Sequence, residues 1–128
     1  LRSNITHSVK NKRLDAKNEI CFQIMSYINT HIYTITNLSD LSSVLNYDYP
    51  YISKIFVETT SQTISDYYRE QRLETACMLI REGNLSFTQI SDKLHYSSIY
   101  AFSKAFKNHY GVSPKEYKNT IKITETKK

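Results

Sequence analysis

Laid over itself, the sequence matches at an offset of 49 residues and then of 50. Leu41, Ser42, Leu45 and Tyr47 align with Ile90, Ser91, Leu94 and Tyr96. One extra residue in the second copy shifts the register, and Ile52, Ser53, Lys54 and Phe56 then align with Phe102, Ser103, Lys104 and Phe106. Further on, Thr63, Asp66 and Tyr67 align with Ser113, Glu116 and Tyr117. Whatever this pattern folds into must be built twice. Shared apolar positions say only that both copies need the same core. Shared polar positions that face solvent are harder to explain by packing.

Each copy reads as a short helix, a tight turn and a second helix. Asp15 opens a first helical pattern, with Ile20, Cys21, Ile24, Tyr27, Ile28 and His31 at spacings of three and four. Thr36-Asn37 is a plausible N-cap pair for a short helix carrying Leu38, Leu41, Val44 and Leu45. Asn46 tolerates the left-handed turn that follows. Pro50 suits the first turn of the next helix, which buries Ile52, Ile55 and Phe56. A long helix is predicted over 63–82, closed by Gly83 in the left-handed C-cap position. Ser86 and Gln89 have capping-box spacing ahead of Ile90 and Leu94. His95-Tyr96-Ser97 is the second turn, and Phe102, Ala105 and Phe106 form the apolar face after it. Gly111 ends that helix. Ser113, Pro114 and Glu116 start a last one that fades after Tyr117 into a basic tail.

The resulting expectation is an all-α chain of about seven helices: two tandem helix-turn-helix subdomains joined by one long helix. The boundaries are a basic polar linker or arm over 1–16, the first subdomain over 17–62 and the connecting helix over 63–83. The second subdomain follows over 84–119 and a basic tail over 120–128. A 20-residue spacer is roughly 30 Å long, close to the separation of successive major grooves on one face of DNA. One chain could thus place a helix in each of two grooves.

Composition narrows the function classes. The chain holds only two glycines, Gly83 and Gly111, so neither a phosphate-cradling loop nor a dinucleotide fingerprint can be assembled. Cys21 and Cys77 stand far apart, and His7, His31, His95 and His109 are scattered, so no metal-ligand spacing exists and no cofactor is expected. Both cysteines read as reduced packing residues in a reducing compartment, the cytoplasm. The longest purely apolar run, Ala76 to Ile80, is five residues, too short for a membrane span. Seventeen Lys and Arg against 12 Asp and Glu give a net charge of +5, which suits a polyanionic partner.

From about Asp15 to Asn119 the chain resembles the DNA-binding domain of the AraC/XylS family of bacterial transcription regulators. The resemblance rests on Ile52-Ser53-Lys54-Ile55-Phe56, Asp66-Tyr67, Arg72-Leu73, Ala76, Leu79-Ile80 and Ile90-Ser91. Above all it rests on Phe102-Ser103-Lys104-Ala105-Phe106-Lys107, Gly111-Val112-Ser113-Pro114 and Tyr117. The chain departs from the family at Ser42 and Ser91, where Ala is usual, and at His95 and Ser61, where Gly is common. The resemblance implies a non-enzymatic, sequence-specific binder of double-stranded DNA, without catalytic or metal residues. It implies base contacts at Pro50, Ser53 and Lys54 in one recognition helix and at Ile99, Tyr100, Ser103 and Lys104 in the other. The chemistry suits the role: Lys donates to guanine, Ser to several base edges, and an apolar group meets a thymine methyl.

Phosphate contacts are expected where helix N-termini offer free N–H groups, at Thr36, Asn37, Ser86 and Phe87. Arg72 and Lys107 add cations, and Tyr49 and Tyr51 add hydroxyls. RNA polymerase is an implied partner. For a chain that begins at Leu1 with a polar arm, the resemblance leaves two expectations open: a preceding sensor or dimerisation domain, as in many family members, or a single-domain protein of about this size, as in others. The competing reading is a helical adaptor that binds nucleic acid non-specifically or binds protein. An alkylation-response domain is disfavoured, since its clustered cysteines are missing.

Overall fold

The computed structural model describes the backbone of residues 2–126 and the side chains of residues 12–122. Among the described residues there are seven helices and no strand: α1 (Arg2–Thr30), α2 (Asp40–Leu45), α3 (Tyr49–Thr60), α4 (Ile64–Glu82), α5 (Phe87–Lys93), α6 (Ile99–Tyr110) and α7 (Pro114–Thr126). They form two compact units, divided within α4 between Arg69 and Glu70.

In the first unit α1 packs on α2 and α3. Ile20, Cys21, Ile24 and Ile28 line its inner stripe and meet a core that includes Leu41, Ile52, Ile55, Phe56 and Ile64. Burying each such aliphatic or aromatic side chain contributes about 1.5–3 kcal/mol. Polar ties fix the docking: Asn29 Nδ2 donates to Tyr67 Oη at 2.8 Å, Tyr68 Oη donates to the Ile35 carbonyl at 3.3 Å, and the Phe56 and Tyr67 rings meet edge to face at 5.7 Å.

The second unit has its own core of Leu73, Ala76, Leu79, Ile80, Ile90, Leu94, Phe102 and Phe106. Phe106 is fully buried and touches three aromatic rings, Phe102, Tyr110 and Tyr117, with centroids 4.8–5.9 Å away. Arg81 Nη1 donates to Tyr117 Oη at 2.9 Å and ties α4 to α7.

Four local differences from the sequence reading have physical causes. The 1–16 segment, expected as a linker or arm, continues α1 back to Arg2. Residues 12–19 of that helix face solvent and need no apolar period, since a stripe exists only where a helix packs. The last helix runs to Thr126 rather than fading after Tyr117. Pro114, Tyr117, Lys118 and Ile121, at i, i+3, i+4 and i+7, are all at least half-buried and extend its inner face. The N-cap of α2 is Ser39, not Thr36-Asn37. Asn37 Oδ1 accepts instead from the Ser39 N–H at 3.0 Å, making a local turn that delays the helix. Val44, expected on the buried face of α2, is exposed.

Candidate nucleic-acid interface

The two helix-turn-helix motifs are built alike. A short helix of 6 residues in the first (α2) and 7 in the second (α5) leads through a turn to a helix of 12 residues in each, α3 or α6. Both turns pivot on a left-handed residue that is not glycine: Asn46 with φ 60° and His95 with φ 62°. A left-handed residue with a β-carbon costs about 1–2 kcal/mol. The serines that replace the usual alanine tie each turn. Ser42 Oγ donates to the Tyr47 carbonyl at 2.7 Å, and Ser91 Oγ donates to the Ser98 carbonyl at 3.1 Å. Ser91 is buried, so its bond works with little competition from water.

In the first motif Asp48 precedes α3, and Pro50 occupies its first turn. Pro50 and Lys54 are exposed and Ser53 is half-buried beside them. Tyr51 is exposed and lies against the exposed Tyr47, with ring centroids 5.5 Å apart and the rings tilted by 36°. Tyr49 is half-buried, and that burial pushes its phenol above its ordinary range. The Lys54 ammonium lies 3.9 Å from Glu58 one turn on, and Glu58 also lies 4.0 Å from Lys17 of α1.

In the second motif Ser98 caps α6, its hydroxyl accepting from the Ala101 N–H at 3.0 Å. Tyr100 is 82% exposed, the most open of the large apolar or aromatic side chains. Lys104 and Lys107 are exposed, and Ile99 and Ser103 are half-buried on the same helix. Thus Pro50, Ser53 and Lys54 share α3, while Ile99, Tyr100, Ser103, Lys104 and Lys107 share α6.

The remaining candidates fall elsewhere. Ser86 caps α5 with a complete capping box: its hydroxyl accepts from the Gln89 N–H at 3.1 Å, and its own N–H donates to Gln89 Oε1 at 2.8 Å. Phe87 is half-buried, with Lys118 Nζ 5.6 Å from its ring. Thr36 and Asn37 are exposed but lie ahead of the α2 cap. Arg72, expected as a phosphate contact, makes two contacts within the fold. Its Nε donates to the Leu94 carbonyl at 3.0 Å, and its guanidinium lies 3.9 Å above the Tyr96 ring. It braces the turn of the second motif from α4.

Both cysteines are free thiols, Cys21 buried and Cys77 half-buried. Burial pushes the Cys21 thiol up, against a hydrogen bond to Thr59 that lowers it. Tyr110 is pushed up by burial and by a hydrogen bond with Cys77. Groups of three or more His, Cys, Asp or Glu arranged to hold a metal are absent among the described residues. No described helix is long and apolar enough to cross a membrane.

Sequence reasoning missed Tyr47, Asp48 and Glu58 as neighbours of the first recognition face. Glu58 had a signal, its i+4 spacing from Lys54.

A helix-turn-helix domain family matches residues 41–120. The Msm operon regulatory protein of Streptococcus mutans is 31% identical over 99 residues, which cover 77% of this chain and 36% of that protein. Regulatory protein SoxS of Escherichia coli is 26% identical over 103 residues, covering 80% of this chain and 96% of SoxS. The first relatives are otherwise longer, and the chain spans between 26% and 40% of their length. Among solved structures, the DNA-binding domain of AdpA, determined with a target DNA, superposes with a TM-score of 0.76 at 15% identity, over 84% of this chain and 97% of that one.

Proposed function

Because the chain belongs to the AraC-type family of helix-turn-helix transcription regulators, we propose that α3 and α6 each read a short block of bases in double-stranded DNA. One observation carries this reading. The two motifs repeat not only their cores but also a Ser-Lys pair, Ser53-Lys54 and Ser103-Lys104, a half-buried serine beside an exposed lysine at matching points of two 12-residue helices. A generic helical hairpin has no reason to repeat an exposed lysine at the same point.

On this reading Pro50, Ser53, Lys54, Ile99, Tyr100, Ser103 and Lys104 meet base edges. Tyr49, Tyr51 and Lys107 meet the sugar-phosphate backbone, joined by backbone N–H groups near Ser39 and Phe87. The protein acts by binding, and its effect on transcription passes through RNA polymerase. A sensor or dimerisation domain elsewhere in the full regulator would set when it binds. Chromosomal DNA as target sets the compartment, the cytoplasm.

Selection of sites from random duplex DNA tests this directly. The expected product has two enriched blocks about 10 base pairs apart centre to centre. Lys54→Ala relaxes preference in one block and Lys104→Ala in the other, each by about 1–3 kcal/mol at the affected base pair. Absence of any enriched sequence, or both variants altering the same bases, defeats the proposal.

A further inference from the structure

The repeat allows the two motifs to be compared position by position, and their charges diverge. Residues 40–60 hold one lysine, Lys54, against Asp40, Asp48 and Glu58, a net charge of −2. The matching residues 89–110 hold Lys93, Lys104 and Lys107 against Asp92 alone, a net charge of +2. At the offset of 50, Asp48 corresponds to Ser98, Val57 to Lys107 and Glu58 to Asn108. Each difference makes the first motif less attractive to a polyanion.

The geometry sharpens this. Lys54 is the sole lysine of α3, and Glu58 stands 3.9 Å from its ammonium. Asp48 precedes α3 as its N-cap residue, yet its side chain makes no capping hydrogen bond. In α6 the lysines Lys104 and Lys107 share their helix with no carboxylate, and Ser98 spends its side chain on the cap.

We infer that Glu58 and Asp48 limit the affinity of the first motif, leaving the second as the electrostatic anchor on DNA. This rests on the DNA-binding reading above. Glu58 is shared with Lys17 at 4.0 Å, so it offsets part of the Lys54 charge: Lys54 can still donate to a base, but it releases less counterion on docking than an unpaired lysine does. The first motif therefore contributes base preference. The salt-dependent share of affinity comes mainly from Lys104, Lys107 and their neighbours.

The test is fluorescence anisotropy on the selected duplex across a salt series, with variants that borrow the second motif's residues. Asp48→Ser and Glu58→Asn should each tighten binding by about 1.5- to 5-fold, the range of an exposed charge interaction. Lys54→Ala should lower the log–log salt slope by less than about 0.9 in the wild-type background and by about 0.9 in the Glu58→Asn background. Lys104→Ala should lower it by about 0.9 in either. Serine is as good an N-cap as aspartate, so position 48 keeps its local structure. Glu58→Gln, which keeps the side-chain length, should repeat the Glu58→Asn result. Steep wild-type binding that neither Asp48→Ser nor Glu58→Asn tightens, with Lys54→Ala and Lys104→Ala lowering the slope equally, overturns this inference alone. A wild-type protein with no salt-dependent DNA binding removes the reading beneath it as well.

Discussion

Replacing Arg72 with methionine separates a positioning role from a phosphate contact. The structure commits Arg72 to the turn between α5 and α6, through the 3.0 Å bond from Nε to the Leu94 carbonyl and the guanidinium 3.9 Å above Tyr96. Leu94 is fully buried, and its carbonyl would lose a charged donor. A hydrogen bond to a charged group is worth about 1.5–3 kcal/mol. The stacking on Tyr96 adds about 0.5–2 kcal/mol. The two act through one side chain and do not add fully, so about 2–3 kcal/mol is expected for Arg72→Met, whose aliphatic stem still packs. Arg72→Lys keeps the charge but not the planar fork, and should lose most of the same amount. Native-state amide exchange reads the effect residue by residue. Amides of α5 and α6 limited by opening of this unit should exchange about 30- to 150-fold faster, while those of α1 and α3 hold. The salt slope of DNA binding should move little. Unchanged protection of α5 and α6, with the slope lowered by about 0.9, would mean that Arg72 is a phosphate ligand and the turn needs no brace.

Other perturbations follow from the same packing. Phe106→Ala removes a buried ring that touches three others and should cost about 3–5 kcal/mol, seen as loss of exchange protection confined to the second unit. Ser91→Ala, which removes a buried hydroxyl's bond to the Ser98 carbonyl while that carbonyl keeps the Phe102 N–H, should cost about 1 kcal/mol, and Ser42→Ala, half-exposed, less; urea titration of the two variants ranks them. Ser61→Gly should stabilise the first unit by about 0.5–1 kcal/mol in the same assay. Ser61 is an exposed C-cap at φ 62°, and its counterpart in the second motif is already Gly111 at φ 79°. A destabilised Ser61→Gly variant would refute the strain argument there.

Much of the architecture was legible because caps and turns are local chemistry. The Ser86–Gln89 box, Pro50 in the first turn of α3, and the left-handed Asn46 and Gly83 all stand where the residues alone place them, and the left-handed His95 stands where the family resemblance implies it. What failed to show was structure without a packing stripe. The solvent-facing residues 12–19 of α1 leave no period to read. The α2 cap was missed because Asn37 and Ser39 are both good cap residues, and the choice turns on which N–H the Asn37 oxygen reaches. Such near-equal local options are decided by tertiary context.

The candidate interface was legible in its shared positions and hidden in its differences. Ser53-Lys54 and Ser103-Lys104 stand out because two copies agree. The contact of Arg72 with the Leu94 carbonyl was not legible because its partner lies 22 residues away, beyond any local pattern. The Ser42 and Ser91 departures place hydroxyls that hold the two turns whose pivots lack glycine. A repeat turns each such departure into a controlled comparison, since the backbone around the paired positions is the same kind of helix or turn. Agreement between copies identifies the parts that any helix-turn-helix of this type needs. Disagreement at solvent-facing positions, Glu58 against Asn108 and Asp48 against Ser98, cannot be a requirement of the shared fold. It must reflect what each motif meets outside it, which is why the charge contrast bears on division of labour and the common core does not.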